Sequence, residues 1–182
     1  MILDAKERGA AGDWVWPTKL GAWLGQRTLA DLVLEAVRNV GGGELNPPVT
    51  DPVSTAFHPK AMLAMLTYCY ADGVYGSQDA EFMMREDAAF RALCGLDFPD
   101  WRQLRRFRRH NHELVHRTLA ETFRRAWSLK SVGRSAADRV NQRQVHDDLA
   151  RPMTLQQLAF VEQETEERIE RAMFIDRMAD DY

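Results

Sequence analysis

An all-α fold follows from three features of the 182-residue sequence. Apolar residues recur at helical spacing almost throughout, strand-forming runs are scarce, and glycine and proline fall between the periodic segments. Together they predict a compact multi-helix domain with a helix-turn-helix-like unit and an extra acidic helix at the C-terminus. With 45% apolar and 28% charged residues, the chain can enclose one core of ordinary size.

Residues 1–27 read as an N-terminal extension. Their opening, MILDAKERGAAGDW, carries acids and no apolar centre, so neither a secretory signal nor an anchor is expected there. The helical domain is expected over 28–127. Its first helix runs from about Thr28 to Val40, with Leu29, Leu32, Val33, Ala36, Val37 and Val40 as one stripe and Gly41-Gly42-Gly43 as its end. After a linker, Pro59 opens a second helix that is apolar on all sides from Met62 to Tyr70 and should lie at the centre of the fold.

Ser77 is placed to cap a third helix with an acidic first turn and a core side of Phe82, Met83, Ala89, Phe90 and Leu93. Asp100 and Gln103 stand in capping-box spacing at the start of a fourth. A fifth runs from about Asn111 to Trp127, residues 128–153 read as a polar connector, and Thr154 with Gln157 opens the acidic helix of residues 154–182.

The longest apolar stretch, Ala61 to Ala71, is about half of the roughly 20 residues a bilayer crossing requires, so no membrane contact is expected. Cys69 and Cys94 lie far apart in apolar helical patterns, as buried free thiols in a reducing compartment do, which points to the cytoplasm. The net charge of -3 conceals a segregation. Residues 1–100 hold 8 basic and 14 acidic side chains, residues 101–151 hold 13 and 5, and the last 31 hold 3 and 8. One basic block between acidic ends suggests a surface for a polyanion, and the acidic final helix is placed to lie against that block in the absence of one.

The fourth helix carries most of that charge locally. Projected at 100° per residue, Trp101, Leu104 and Phe107 fall on one side and Arg102, Arg105, Arg106 and Arg109 on the other. No glutamate relieves the repulsion between Trp101 and Arg109. A short helix anchored by a few apolar residues and preceded by another short helix is how a helix-turn-helix unit presents its reading helix to double-stranded DNA. Arg105 with its neighbours would supply phosphate contacts, Arg102, Gln103 or Arg106 would reach base edges, and His110 can also touch phosphate.

The run from Phe57 to Asn111 resembles the N-terminal domain of bacterial insertion-sequence transposases of the InsH type. It carries an aromatic-His-Pro-basic opening, Tyr-x-Tyr-Ala-x-Gly in an apolar helix, a Ser-led helix ending Arg-Glu-Asp-x-x-Phe-Arg, and Pro-Asp before Arg-Phe-Arg-Arg-His. The resemblance implies an all-helical domain that engages transposon-end DNA through Arg102 to Arg109, with Lys60 and Arg85 as backbone neighbours. It also marks a departure. Where such transposases lead into an RNase H-like domain with a Leu-Asp-Gly-Thr-like strand, this chain reads WSLKSVGRSAADRV, without a matching aspartate, and too few residues follow to build the rest of that sheet. A non-catalytic, cofactor-free DNA-binding regulator or adaptor is therefore the expectation.

HELVH, His112 to His116, matches the zinc-peptidase pattern of two histidines one turn apart with a glutamate between them. Leu119 and Thr122 stand where a glycine and a third histidine would follow, which leaves Glu162, Glu166 or Glu170 as the remaining ligand candidates. Three functional classes stay open at this stage. They are a DNA-binding protein, an interaction module that recruits a protein partner or a second copy through residues 154–182, and a zinc metallopeptidase using His112, Glu113 and His116.

Overall fold

The computed structural model describes residues 15–41, 43–45, 58–86, 99–138 and 152–180, with 131–138 and 180 as backbone alone. Among these residues all regular structure is helical: α1 (Leu20–Leu24), α2 (Gln26–Arg38), α3 (Pro59–Ala71), α4 (Ser77–Glu86), α5 (Trp101–His110), α6 (His112–Asp138) and α7 (Leu155–Asp180). Among the described residues no helix is long and apolar enough to cross a membrane. Expected elements within residues 87–98 and 139–151, including Ala89, Phe90, Leu93 and Cys94, lie outside the described residues.

Helix α3 forms the centre. Pro59 occupies its first turn, where a missing N–H costs nothing, and Met62 to Ala71 are all buried. Enclosing it requires several walls. Helix α2 supplies Leu29, Leu32, Val33, Ala36 and Val37 from the stripe read in the sequence. Helix α6 brings Val115, Leu119, Phe123 and Ala126, and α7 brings Val161, Ile169 and Ala172. The α3–α6 contact is close enough for the Thr67 and Thr118 hydroxyls to lie 3.0 Å apart, so that one donates to the other while the acceptor donates back to a carbonyl of its own helix.

Several local expectations change. The N-terminal segment contributes to the core: Trp16 is buried against Phe123 (centroids 4.6 Å apart), Trp23, Trp127 and Phe160, and Leu20 is fully enclosed. A five-residue helix offers too little periodicity to be seen in sequence. Helix α6 continues to Asp138, through residues read as irregular connector. Extending an existing packed helix costs far less than nucleating one, so small polar residues and a glycine do not stop it. Phe82, expected on the core side of α4, is 65% exposed, whereas Met84 is buried and Met83 half-buried. Ser77 begins α4, but it does not act as its own cap; its N–H and hydroxyl both donate to Asp176 of α7, at 2.8 and 2.6 Å. The acidic residue in the first turn and the Thr154–Gln157 box at the start of α7 are as expected.

Polar residues close the base of the bundle. Asp72 ends α3 and accepts from the Gly21 N–H (2.8 Å) and from Gln26, which in turn accepts from the Tyr68 hydroxyl. The next residue, Gly73, has φ +79, and a Cβ there would come within 2.7 Å of the Thr18 carbonyl oxygen, so the turn admits only glycine. Arg168, 3% exposed, donates to the carbonyls of Pro17 (2.7 Å), Thr18 (3.1 Å), Tyr70 (2.8 Å) and Ala71 (2.9 Å), pairs with Glu164 and lies over the Phe123 ring. One guanidinium thus satisfies the C-terminal carbonyls of α3 and fixes the N-terminal segment. Arg168→Met should lower stability by about 3–5 kcal/mol, because Glu164 and four carbonyls lose their donor together. Arg168→Lys should recover only part of that, since an ammonium cannot span the fork. Urea titrations of the three chains check both expectations.

Candidate nucleic-acid interface

The basic helix α5 starts as its sequence predicts. Asp100 accepts from the Gln103 N–H (2.8 Å), the Gln103 side chain accepts from the Asp100 N–H (2.9 Å), and Glu81 of α4 accepts from the Trp101 N–H (3.1 Å). Carboxylates therefore already sit at the positive end of this helix, where an incoming phosphate would otherwise be drawn. Any polyanion contact has to use the side of the helix. Gln103, expected to reach a base edge, has its Oε1 held in the cap.

Leu104 and Phe107 are buried and Trp101 is half-buried, as expected for the anchoring side. Arg102 and Arg109 are exposed, as is His110, whose Nδ1 lies 2.7 Å from the Arg106 carbonyl; Arg106 is half-buried. Positions 102, 106, 109 and 110 follow the i, i+4, i+7, i+8 spacing of a single stripe. Beyond its end, Glu44 and Glu113 line a cleft of about 210 Å³ with His110 and Arg117, and Glu44 pairs with Arg117 at 2.7 Å.

Arg105 departs from the sequence reading. Its side chain is 6% exposed, and its Nε lies 3.3 Å from Asp176 Oδ2, so it faces into the protein instead of out of it. Arg108 is buried beside it, donating to Asp176 (2.7 Å) and to the Tyr70 hydroxyl (2.9 Å). The helical wheel assigned three apolar anchors to the covered side, but α7 covers a wider arc and places a carboxylate opposite the two arginines at its edge. Burial raises Tyr70 to about 12 in spite of the neighbouring Arg108. Burial works to lower Arg108, and the attraction of Tyr70 and Asp176 outweighs it, so its pKa is raised. Nothing near α5 in sequence announces Asp176, Tyr70 or Ser77 as partners. The available signal was an aspartate within the apolar turn Met173-Phe174-Ile175-Asp176 of an otherwise acidic, solvated helix.

The remaining candidates are scattered. Lys60 is half-buried at the start of α3, and Arg85 is exposed on α4 and paired with Glu81 at 2.9 Å. In HELVH, Glu113 is exposed and His112 and His116 are half-buried. His116 Nε2 lies 3.7 Å from Glu162 and 3.5 Å from Glu166, and Arg124 also pairs with Glu162. These contacts tie α6 to α7. Among the described residues no three His, Cys, Asp or Glu side chains are gathered so as to hold a metal ion, and Leu119 and Thr122 point into the core. Cys69 is a buried free thiol.

Residues 44–110 match the transposase domain family DUF772. The match covers α3, α4 and the whole of α5, so this part of the chain is a transposase-related region. No curated protein and no solved structure matches the chain.

Buried and outward arginines of the same helix should respond differently to truncation. Arg108→Ala should cost about 3–5 kcal/mol by removing the guanidinium that hydrogen-bonds both Asp176 and the Tyr70 hydroxyl in the interior, whereas Arg109→Ala should change stability by no more than about 0.5 kcal/mol. Thermal melts decide this. A second expectation concerns pH. Tyr70 titrates near 10.0 when unfolded and about 12 when folded, so the neutral phenol contributes stability that is fully present below pH 10 and lost as pH rises through about 12. Tyr70→Phe should flatten this alkaline limb in a pH series of urea titrations.

Proposed function

We propose that this chain is a non-catalytic DNA-binding protein derived from the N-terminal domain of an InsH-type transposase, holding double-stranded DNA against the outward side of α5. The observation that carries the reading is the stripe of Arg102, Arg106, Arg109 and His110 on a helix whose other side is anchored in the core. A solvated helix ordinarily intersperses acids among its bases, and this stripe contains none. The transposase-related region ends at residue 110, the last residue of α5, which puts the stripe inside the part of the chain with that relationship. Arg105 is left out of the contact set because Asp176 holds it inside. Lys60 and Arg85 are secondary backbone contacts.

The absence of strand-transfer chemistry is part of the proposal. In the position where the InsH-type resemblance implies a strand carrying a metal-binding aspartate, α6 continues as helix to Asp138. A helix there supports a regulator or adaptor that handles DNA without cutting it.

A second reading, a module that recruits a protein partner through the C-terminal helix, is favoured by the exposure of Phe174 (57%) and Met178 (43%) on α7. Phe174→Ala with Met178→Ala should leave DNA affinity unchanged under the leading reading and abolish partner capture under this one.

Phosphate contact fixes the expected measurement. Binding to a random-sequence duplex, followed by anisotropy across a salt series, should give a linear fall of log K with log salt. Removing Arg106 and Arg109 together should reduce that slope by about 2, close to 0.9 for each charge, and weaken binding at low salt by at least about tenfold. An unchanged slope would set the reading aside.

A further inference from the structure

Asp176 occupies an unusual position for a residue so distant in sequence from α5. Its two carboxylate oxygens meet the Ser77 N–H at 2.8 Å, the Ser77 hydroxyl at 2.6 Å, Arg108 at 2.7 Å and Arg105 at 3.3 Å, and the side chain is 5% exposed. Ser77 begins α4, and the two arginines belong to α5. One carboxylate from α7 therefore joins the start of one short helix to the hidden side of the next. At the other end of the same pair, Glu81 of α4 caps α5 through the Trp101 N–H.

We infer that Asp176 is a positioning residue for DNA binding, fixing the rotation of α5 about its own axis so that Arg102, Arg106 and Arg109 face outward together. This rests on the DNA reading above. It extends that reading to a helix outside the transposase-related region, which ends at residue 110. The physical ground is rotational. Leu104 and Phe107 hold α5 down through apolar contact, which is non-directional, whereas the hydrogen bond from Arg108 to a buried carboxylate, with the Arg105 ion pair beside it, is directional. Tyr70, at the hydroxyl of which Arg108 also donates, locks the arrangement onto α3.

The full chain carrying Asp176→Asn is compared with one carrying Ile169→Ala, a truncation at a fully buried residue of α7 two turns before Asp176 that is expected to lower the melting temperature. Both are measured well below their melting temperatures, where circular dichroism gives native helicity, with a random-sequence DNA duplex as probe. Ile169→Ala should bind as the unaltered chain does. Asp176→Asn should bind at least about tenfold more weakly and show a salt slope smaller by about one, because the arginines no longer meet successive phosphates. If Asp176→Asn does not fold, Ser77→Ala takes its place; it removes one contact to the carboxylate and leaves its charge, and a loss of about threefold is expected. Equal affinity and slope in the substituted and control chains overturns the inference, as does tighter binding by Asp176→Asn, which would make the carboxylate a mask over Arg105 and Arg108. If the unaltered chain fails to bind while remaining folded, the DNA reading falls and this inference falls with it.

Discussion

From Met62 to Ala71 every residue of α3 is buried, and a helix with no polar side has to be walled in on every side. Helix α2 covers one part with a single stripe, α6 another, and α5 and α7 the rest. Most of what is unexpected in the structure follows from this enclosure. The N-terminal segment is drawn in where Trp16 packs on Phe123 and Trp127 of α6 and Phe160 of α7, and α7 is drawn in because Val161, Ile169 and Ala172 are buried. Once α7 lies there, its charged residues must be satisfied at close quarters. Arg168 meets the carbonyls at the end of α3, and Asp176 meets the arginines of α5.

That sequence of constraints also divides the basic helix in two. Charge count alone treats its arginines as equals, but a buried guanidinium held by a carboxylate and a phenol contributes to the fold, while one on the outer stripe contributes to the field the protein presents. The transposase-related region thus has a charged face whose composition is decided by a helix beyond its own boundary.

What could be read in the sequence was whatever is settled locally. The stripe of α2, Pro59 opening α3, the Asp100–Gln103 and Thr154–Gln157 boxes and the anchoring of α5 by Leu104 and Phe107 all depend on neighbours within a turn or two. Arg105 and Phe82 were placed wrongly because their exposure depends on which distant element covers that side of the helix, and a wheel projection has no knowledge of α7. The extension of α6 through Ser128 and Leu129 was hidden for a different reason. Propensity there is weak, and the helix is carried through by the packed turns before it. The roles of His112 and His116 were open in the sequence; His116 turns out to face Glu162 and Glu166 across the α6–α7 contact.

Among the described residues the tryptophans form two separate optical reporters. Trp16, Trp23 and Trp127 are grouped where the N-terminal segment meets α6, with Phe123 and Phe160 around Trp16. Trp101 stands apart on α5, with the guanidiniums of Arg102 and Arg105 each 4.5 Å from its ring centre. A cation moving off an indole changes its emission without any loss of packing elsewhere. With Trp14 and the three grouped indoles all replaced by phenylalanine, Trp101 would be the sole indole, so that events at the charged helix are read apart from opening of the core.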